Sequence, residues 1–253
     1  MVIKNTVPVA DTSTTTEIFY PETDGMPLPD GEYQLRHFVN LIAILKHFFR
    51  NCLDVWASGN TFMYYVEGNP RISVSPDCYV AFGVDTDLIL SNNNYRVWDM
   101  GKAPDFALEI GSPSTWRNDL GPKRDLYARL GIGEYWKFDP SGGDHYGEPL
   151  VGEVLVDGEY RRMEMNREPD GRVWGHSPRL NLELHWVDGR LRFYDPVGCR
   201  WLQNMTEMME DTETERAARE SAEAVLDAER AARESAEARL AEMEAELRRL
   251  RTE

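Results

Sequence analysis

Apolar residues between Gly31 and Arg50 recur at three- and four-residue steps, the spacing of an amphipathic helix. Further along the chain, short apolar runs bounded by proline, glycine and asparagine are typical of β-strands. The runs that predict strands are 53–58, 61–66, 77–83, 104–110 and 134–140. Between the last two, residues 117–130 predict a helix, in which Asn118 or Asp119 is a candidate N-cap and Gly131 a C-terminal cap.

Turn residues suggest how the strands connect. Gly59-Asn60 lies between two strand-like runs and predicts a hairpin. After Gly152, Asp-Gly pairs at 157–158 and 188–189 separate further strand-like runs, which favours antiparallel strands that extend the same sheet or form a small β-meander on it. The order of strands and helix predicts an α/β fold with a mixed sheet flanked by helices.

The C-terminal segment contains a repeat. ERAARESAEA occurs at 215–224 and again fourteen residues later, at 229–238. Small and apolar residues fall on one seam of alternating four- and three-residue steps, interrupted by Glu229 and Arg233. A long helix is predicted, either pairing as a coiled coil or solvated on all sides. The predicted domains are therefore an arm (1–30), a folded domain (31–203) and a coiled-coil tail (204–253).

Composition limits the function. Net charge is −16, of which residues 207–253 supply −7 and the rest −9, so the acidity is shared and repels nucleic acid at long range. The three cysteines have no metal-finger spacing, which favours free thiols in a reducing compartment. The chain shows no signal-peptide pattern and no apolar stretch long enough to span a membrane, so we expect a soluble cytoplasmic protein.

Two acidic residues in or beside apolar strands are the candidates for binding a metal ion. Glu109 lies in PDFALEI (104–110), where a carboxylate is unfavourable unless it is paired, reaches solvent or binds a metal. Asp77 opens the strand DCYVAFG after Pro76, a position that a simple turn residue also explains. If the two strands are neighbours, both acids supply the oxygen ligands that Mg²⁺ or Mn²⁺ prefers.

Lys123 is the candidate basic group. Asp119, Lys123 and Tyr127 follow one another at four-residue steps and share a helix face. A lysine on this face could orient a nucleophilic water or a phosphoryl oxygen. The alternative is a surface ion pair between Asp119 and Lys123.

A family resemblance rests on SVSPDCYVAFG (73–83) and APDFALEIGSPSTWRNDLGPKRDLYARLGIGEYWKFDP (103–140). These segments resemble the Uma-type restriction endonuclease family of the PD-(D/E)XK nuclease superfamily. The shared features, in chain order, are two Pro-Asp strands, the second ending in glutamate, then Ser-Thr, a helix with Asp, Lys and Tyr at four-residue steps, and Glu-Tyr-Trp. Ile132 stands where that pattern has valine. The resemblance implies a restriction-endonuclease-like sheet, with Asp77 and Glu109 as metal-binding and catalytic acids.

One position departs from the superfamily pattern. The usual lysine two residues after the glutamate is absent, because Gly111 stands there. The resemblance implies that Lys123 is the matching catalytic lysine. It also implies a further acid from the N-terminal helix, for which Glu32 is the candidate.

Two functions follow as hypotheses. The first is a Mg²⁺- or Mn²⁺-dependent endonuclease that hydrolyses DNA phosphodiester bonds, paired with a second copy through the C-terminal helix; a nuclease acting on RNA or nucleotides is a variant of it. The second is a catalytically inactive nuclease-fold interaction protein that is oligomerised through its coiled coil, which Gly111 and the acidic surface favour.

Overall fold

The computed structural model describes residues 18–21 and 32–251. Apart from 18–21, the predicted arm lies outside the described residues. The helices are Glu32–Phe48 (α1), Thr86–Asn92 (α2), Val97–Met100 (α3), Trp116–Leu120 (α4), Pro122–Leu130 (α5) and Met205–Leu250 (α6). The strands are Val55–Ser58 (β1), Met63–Tyr64 (β2), Ser73–Val74 (β3), Cys78–Phe82 (β4), Tyr95–Arg96 (β5), Phe106–Ile110 (β6), Glu134–Phe138 (β7), Leu150–Val156 (β8), Glu159–Arg162 (β9), Asn166–Arg167 (β10), Val173–Ser177 (β11), Leu182–Val187 (β12), Arg190–Asp195 (β13) and Arg200–Trp201 (β14).

The main sheet has six strands in the order β1-β4-β6-β7-β8-β9. β6 and β7 are parallel and are connected through α4 and α5, whereas the other neighbouring pairs are antiparallel. The mixed sheet flanked by helices that the sequence predicts is therefore confirmed.

Helices cover both faces of the main sheet at its centre. His37 of α1 lies edge-on to Phe138 of β7 at 5.4 Å between ring centroids. Tyr127 of α5 lies edge-on to Tyr135 of the same strand at 5.1 Å. Because residues 135 and 138 point to opposite sides of a strand, α1 and α5 occupy opposite faces. Every residue of β6 is consequently buried.

Both predicted Asp-Gly turns are present. They join β8 to β9 and β12 to β13, with Val156 opposite Glu159 and Val187 opposite Arg190. All four turn residues have positive φ, between 47° and 82°, as a two-residue type I′ hairpin requires. The β8–β9 hairpin extends the main sheet, while β10 to β14 form a separate five-stranded antiparallel sheet.

The hairpin predicted at Gly59-Asn60 is wrong. β1 pairs with β4, and β2 belongs to a small three-stranded sheet with β3 and β5. The backbone N–H of Asn60 donates to the Pro76 carbonyl at 2.8 Å. A Cβ at Gly59 would lie 1.9 Å from the Asp77 carbonyl oxygen, so glycine is required for a close approach of two backbones.

The single helix predicted over 117–130 is also wrong. α4 ends at Leu120, and α5 starts at Pro122, whose missing N–H is tolerated in a first turn. Asp119 is not an N-cap but a buried residue within α4. Gly131 ends α5 in the left-handed conformation, with φ of 79°, as predicted.

The long C-terminal helix is confirmed. Asn204 and Glu207 form a reciprocal capping box at its start, since each side chain accepts the other's backbone N–H. The chain divides into two compact units, the first ending at Leu202 and the second spanning Gln203–Glu253. Among the described residues, none of the helices is long and apolar enough to cross a membrane.

We expect Gly59→Ala to lower the free energy of unfolding by about 3 kcal/mol, because the new methyl group forces two backbones apart. Asn60→Gly is the matched control: residue 60 has a left-handed φ of 50° that glycine adopts without strain. Urea denaturation of both variants checks this. Equal stability of the two variants would contradict the role assigned to the close approach.

Candidate functional site

The register of the central strands places the two candidate acids side by side. Cys78 lies opposite Leu108 in the antiparallel β4–β6 pair. One residue further, the same register puts Asp77 beside Glu109, on one face of the sheet. Asp77 Oδ2 also accepts a hydrogen bond from the backbone N–H of Ile110 at 2.8 Å, which fixes its carboxylate at the end of β6.

Lys123 reaches this pair of acids from α5. Its Nζ lies 2.7 Å from Glu109 Oε2, and its side chain is only 13 % exposed. Tyr127, one helical turn later, donates its hydroxyl to Glu109 Oε1 at 2.7 Å. Both oxygens of Glu109 therefore accept one hydrogen bond each from the same helix face, and each retains a second lone pair.

Asp119 is a third acid at this place. Its Oδ1 lies 3.8 Å from Lys123 Nζ, and its side chain is almost completely buried. Oδ2 accepts the Tyr146 hydroxyl at 2.8 Å. The four-residue spacing of Lys123 and Tyr127 places both on one face of α5, whereas Asp119 belongs to α4; the sequence does not show that either of them turns inward rather than towards solvent.

Asp77, Glu109, Asp119 and Lys123 form a cluster in which the negative charges outnumber the positive one. Burial and then the Glu109 charge raise the pKa of Asp77 well above its usual value. The same two causes raise the pKa of Asp119 to about 6. Burial alone would lower the pKa of Lys123, but the carboxylates of Glu109, Asp77 and Asp119 outweigh it and raise that pKa. Three acids thus surround one lysine, so an additional cation would be stabilised here.

Hydrogen bonding distinguishes this cluster from the other buried acids. Glu134 accepts hydrogen bonds from Trp136, Ser177 and Arg179, which is sufficient for a structural role. Asp119 Oδ1, in contrast, is buried without a hydrogen bond of ordinary length to a described residue, and the Lys123 ammonium, 3.8 Å away, and the Thr115 hydroxyl are among the groups beside it that oppose the rise in the pKa of this carboxyl. An unsatisfied buried acceptor is unfavourable, typically by about 1–3 kcal/mol, unless a ligand satisfies it.

The donor set fits a hard divalent cation with few protein ligands. Within the described residues, no three side chains of His, Cys, Asp or Glu are placed to enclose one ion. Mg²⁺ is usually held by one or two carboxylates and keeps several waters, which is the arrangement that Asp77 and Glu109 can supply. A Zn²⁺-type cage of three or four ligands is not formed by these residues.

Tyr146 occupies the space beside Gly111. A Cβ at residue 111 would lie 3.1 Å from Tyr146 Cε2 and 3.4 Å from Asp139 Cγ. Any side chain at this position would therefore require the tyrosine ring to shift by a few tenths of an ångström. The basic group of the cluster comes from α5 instead, and sequence reasoning offered no signal for Tyr146, which lies in a loop after β7.

The N-terminal helix also reaches the end of β6. Gln34 Nε2 donates to the Ile110 carbonyl at 3.2 Å. The side chain of Glu32, the candidate further acid, lies outside the described residues. Sequence reasoning missed Gln34, for which an isolated polar residue on a helix gives no signal.

A second charged group fastens α5 to the sheet. Glu153 on β8 accepts from Arg124, the neighbour of Lys123, through two guanidinium nitrogens at 3.0–3.2 Å. It also accepts from Lys137 of β7, which is 2 % exposed. Lys137 is the register partner of Glu109 in the parallel β6–β7 pair. Glu153 thus holds two cations from different elements directly beside the cluster.

Comparison with known proteins gives a family. A family model named Uma2 and described as "Putative restriction endonuclease" matches residues 22–185. Since that range covers well over half of the chain, the protein belongs to this family. Among curated proteins, none matches.

One solved structure is similar in part. It is described as "a putative nuclease belonging to DUF820" from Anabaena variabilis. It shares 15 % sequence identity, and the similarity covers 61 % of this chain and 76 % of that one with a TM-score of 0.41.

We expect Glu153→Gln to lower the free energy of unfolding by about 3 kcal/mol, because Lys137 then remains buried without an anionic partner. In Lys137→Met, Glu153 keeps Arg124, so the loss should be about 1 kcal/mol or less. Chemical denaturation of the two variants measures the difference. A larger loss of stability in Lys137→Met than in Glu153→Gln would contradict the conclusion that Glu153 holds both cations.

Proposed function

We propose that the chain is a metal-dependent endonuclease that hydrolyses DNA phosphodiester bonds. The observation that carries the proposal is the convergence of three acids around the ammonium of Lys123: Asp77 just before β4, Glu109 in β6 and Asp119 in α4. Membership of a nuclease family supports the reaction class.

Asp77 and Glu109 are the residues that would hold Mg²⁺ or Mn²⁺. When bound, such an ion lowers the pKa of water and stabilises negative charge at a phosphoryl group. Asp77 is fixed by the Ile110 N–H, and Glu109 by Tyr127 and Lys123, so both carboxylates are oriented before any ligand arrives.

Lys123 would provide positive charge during the reaction. Its ammonium is held at Glu109 by a 2.7 Å hydrogen bond and has two further N–H donors. In a site from which water is largely excluded, such a donor stabilises the charge that develops on a phosphate oxygen and orients the attacking water.

Cleavage of supercoiled plasmid with Mg²⁺ or Mn²⁺ tests the activity. We expect Asp77→Asn, Glu109→Gln and Lys123→Ala each to lower the rate by roughly a hundredfold or more, the scale seen when one electrostatic stabiliser is removed.

Asp105→Asn is the matched control. Asp105 also follows a proline and accepts a backbone N–H at 2.8 Å, from Phe82, but it pairs with Lys102 at the other end of β6. It stands roughly 13 Å along the strand from Glu109. A folded wild-type protein that cleaves with neither metal, or an Asp105→Asn variant as impaired as Asp77→Asn, would instead favour the non-catalytic interaction protein.

We further propose that the C-terminal helix pairs two copies of the chain, which would place two sites on the two strands of a duplex. Leu240, Met243 and Leu247 of the seam are more than half exposed in α6. Apolar residues repeated at four- and three-residue steps on an exposed helix are stabilised when a second helix covers them.

Light scattering of the full chain tests the pairing. We expect a dimer for the wild type and a monomer for Leu240→Glu/Leu247→Glu, since two charges then lie in the seam. Ala238→Glu/Ala245→Glu adds the same charges on exposed positions off the seam and should remain dimeric. A monomeric wild type, or equal loss in both variants, would contradict pairing through this seam.

A further inference from the structure

Tyr146 contacts the cluster from a loop to which the proposed function assigns no role. The loop joins β7 to β8, and Tyr146 is only 5 % exposed. Its hydroxyl donates to Asp119 Oδ2 at 2.8 Å, across 27 residues of sequence.

The position of the Tyr146 ring is fixed on two sides. Asp139, at the start of the loop, is fully buried and accepts hydrogen bonds from the backbone N–H groups of Ser141, His145 and Tyr146 at 2.7–3.2 Å. On the other side, the ring packs against Gly111, where even a methyl group would come within 3.1 Å of it. The hydroxyl therefore has little freedom to choose another partner.

Tyr146 and Tyr127 differ from the other buried tyrosines in their hydrogen-bond partners, because each donates to a carboxylate of the cluster. Tyr95 donates to the Lys102 carbonyl at 3.0 Å, and Tyr160 donates to the Ile132 carbonyl at 2.8 Å. A backbone carbonyl is sufficient to satisfy a buried hydroxyl. Tyr146 instead holds a carboxylate, and this carboxylate lies beside Lys123.

A hydrogen bond to one oxygen of a carboxylate also fixes the direction in which the other oxygen points. With Oδ2 bound to Tyr146, Asp119 Oδ1 lies 3.8 Å from the Lys123 ammonium and has no hydrogen bond of ordinary length to a described residue. The ammonium itself lies 2.7 Å from Glu109. Oδ1 is therefore a buried acceptor close to the Lys123 ammonium, which in turn contacts Glu109.

We propose that Tyr146 is a positioning residue of this site: it fixes Asp119 so that Oδ1 accepts a hydrogen bond from a hydrated divalent cation held by Asp77 and Glu109. The inference rests on the proposed metal dependence and adds an outer acid and its support to it. Outer partners of this kind orient the groups that bind a metal, and their loss typically weakens metal affinity by about 10–100-fold.

Calorimetric titration of the full chain with Mn²⁺ tests the inference without relying on nuclease activity. Tyr146→Phe keeps the ring against Gly111 and removes only the hydroxyl, so we expect about tenfold weaker Mn²⁺ binding. Tyr95→Phe removes an equally buried hydroxyl that contacts no carboxylate, and it should bind Mn²⁺ as the wild type does.

A double-mutant cycle separates positioning from general loosening. In an Asp119→Asn background, Tyr146→Phe should cause no further loss, because there is no longer a charged oxygen to direct. Equal losses in both backgrounds, or unchanged affinity in Tyr146→Phe, would overturn the role of Tyr146 while leaving the metal site in place. A folded wild-type protein that binds no Mn²⁺ would overturn the metal site and this inference together.

Asp119→Asn on its own keeps the test decisive if Tyr146→Phe does not fold, as judged by circular dichroism. It is expected to weaken Mn²⁺ binding by about tenfold or more. Unchanged binding by Asp119→Asn would show that Oδ1 does not serve the cation.

Discussion

The ion pair between Lys123 and Glu109 determines how the centre of this molecule is arranged. Glu109 is 1 % exposed in the middle of an apolar strand, a position that a lone carboxylate could occupy only at great cost. α5 must therefore lie with Lys123 and Tyr127 towards the sheet. That orientation brings Arg124 to Glu153, and the α4–α5 connection then places Asp119 inside the protein. The packing of one helix and the composition of the cluster are consequences of the same buried charge.

Pro76-Asp77 and Pro104-Asp105 each stand immediately before a strand, but the surroundings of the two acids differ. Asp105 has a lysine three residues before it and forms a local ion pair at the start of β6. Asp77 has no cationic neighbour in the sequence and is held by a backbone N–H at the far end of the same strand, beside Glu109. An acid whose charge is balanced locally stabilises a turn, whereas an acid that adds to a negative cluster is suited to binding a cation.

Sequence patterns predicted the structural features that depend on only a few neighbouring residues. The strands, the Asp-Gly turns, the glycine cap of α5 and the long C-terminal helix all follow from local propensity and periodicity. Local patterns made Asp77, Glu109 and Lys123 candidates but left a turn residue, a paired acid and a surface ion pair as alternatives; the family resemblance is what singled the three residues out. Their roles remain predictions, while the structure shows where they lie.

Contacts between distant segments could not be predicted in the same way. Gly59-Asn60 has the composition of a hairpin turn, but glycine is needed there because the Asp77 backbone approaches it. Asp119 of α4 is met inside the protein by Tyr146, and the face of α5 that carries Lys123 turns inward towards Glu109; both partners come from distant segments. Nothing in the residues around Tyr146 indicates a partner 27 positions earlier.

The capping box of Asn204 and Glu207 defines the start of α6 through residues three positions apart. The beginning of this helix is thus encoded without reference to the sheets. The repeated unit after it is fourteen residues long, which equals two whole heptads, so duplicating or deleting one copy changes the helix length by about 21 Å without shifting the phase of its apolar seam. The length of the tail can therefore change in discrete steps of one repeat, while the sequence of the folded domain stays the same.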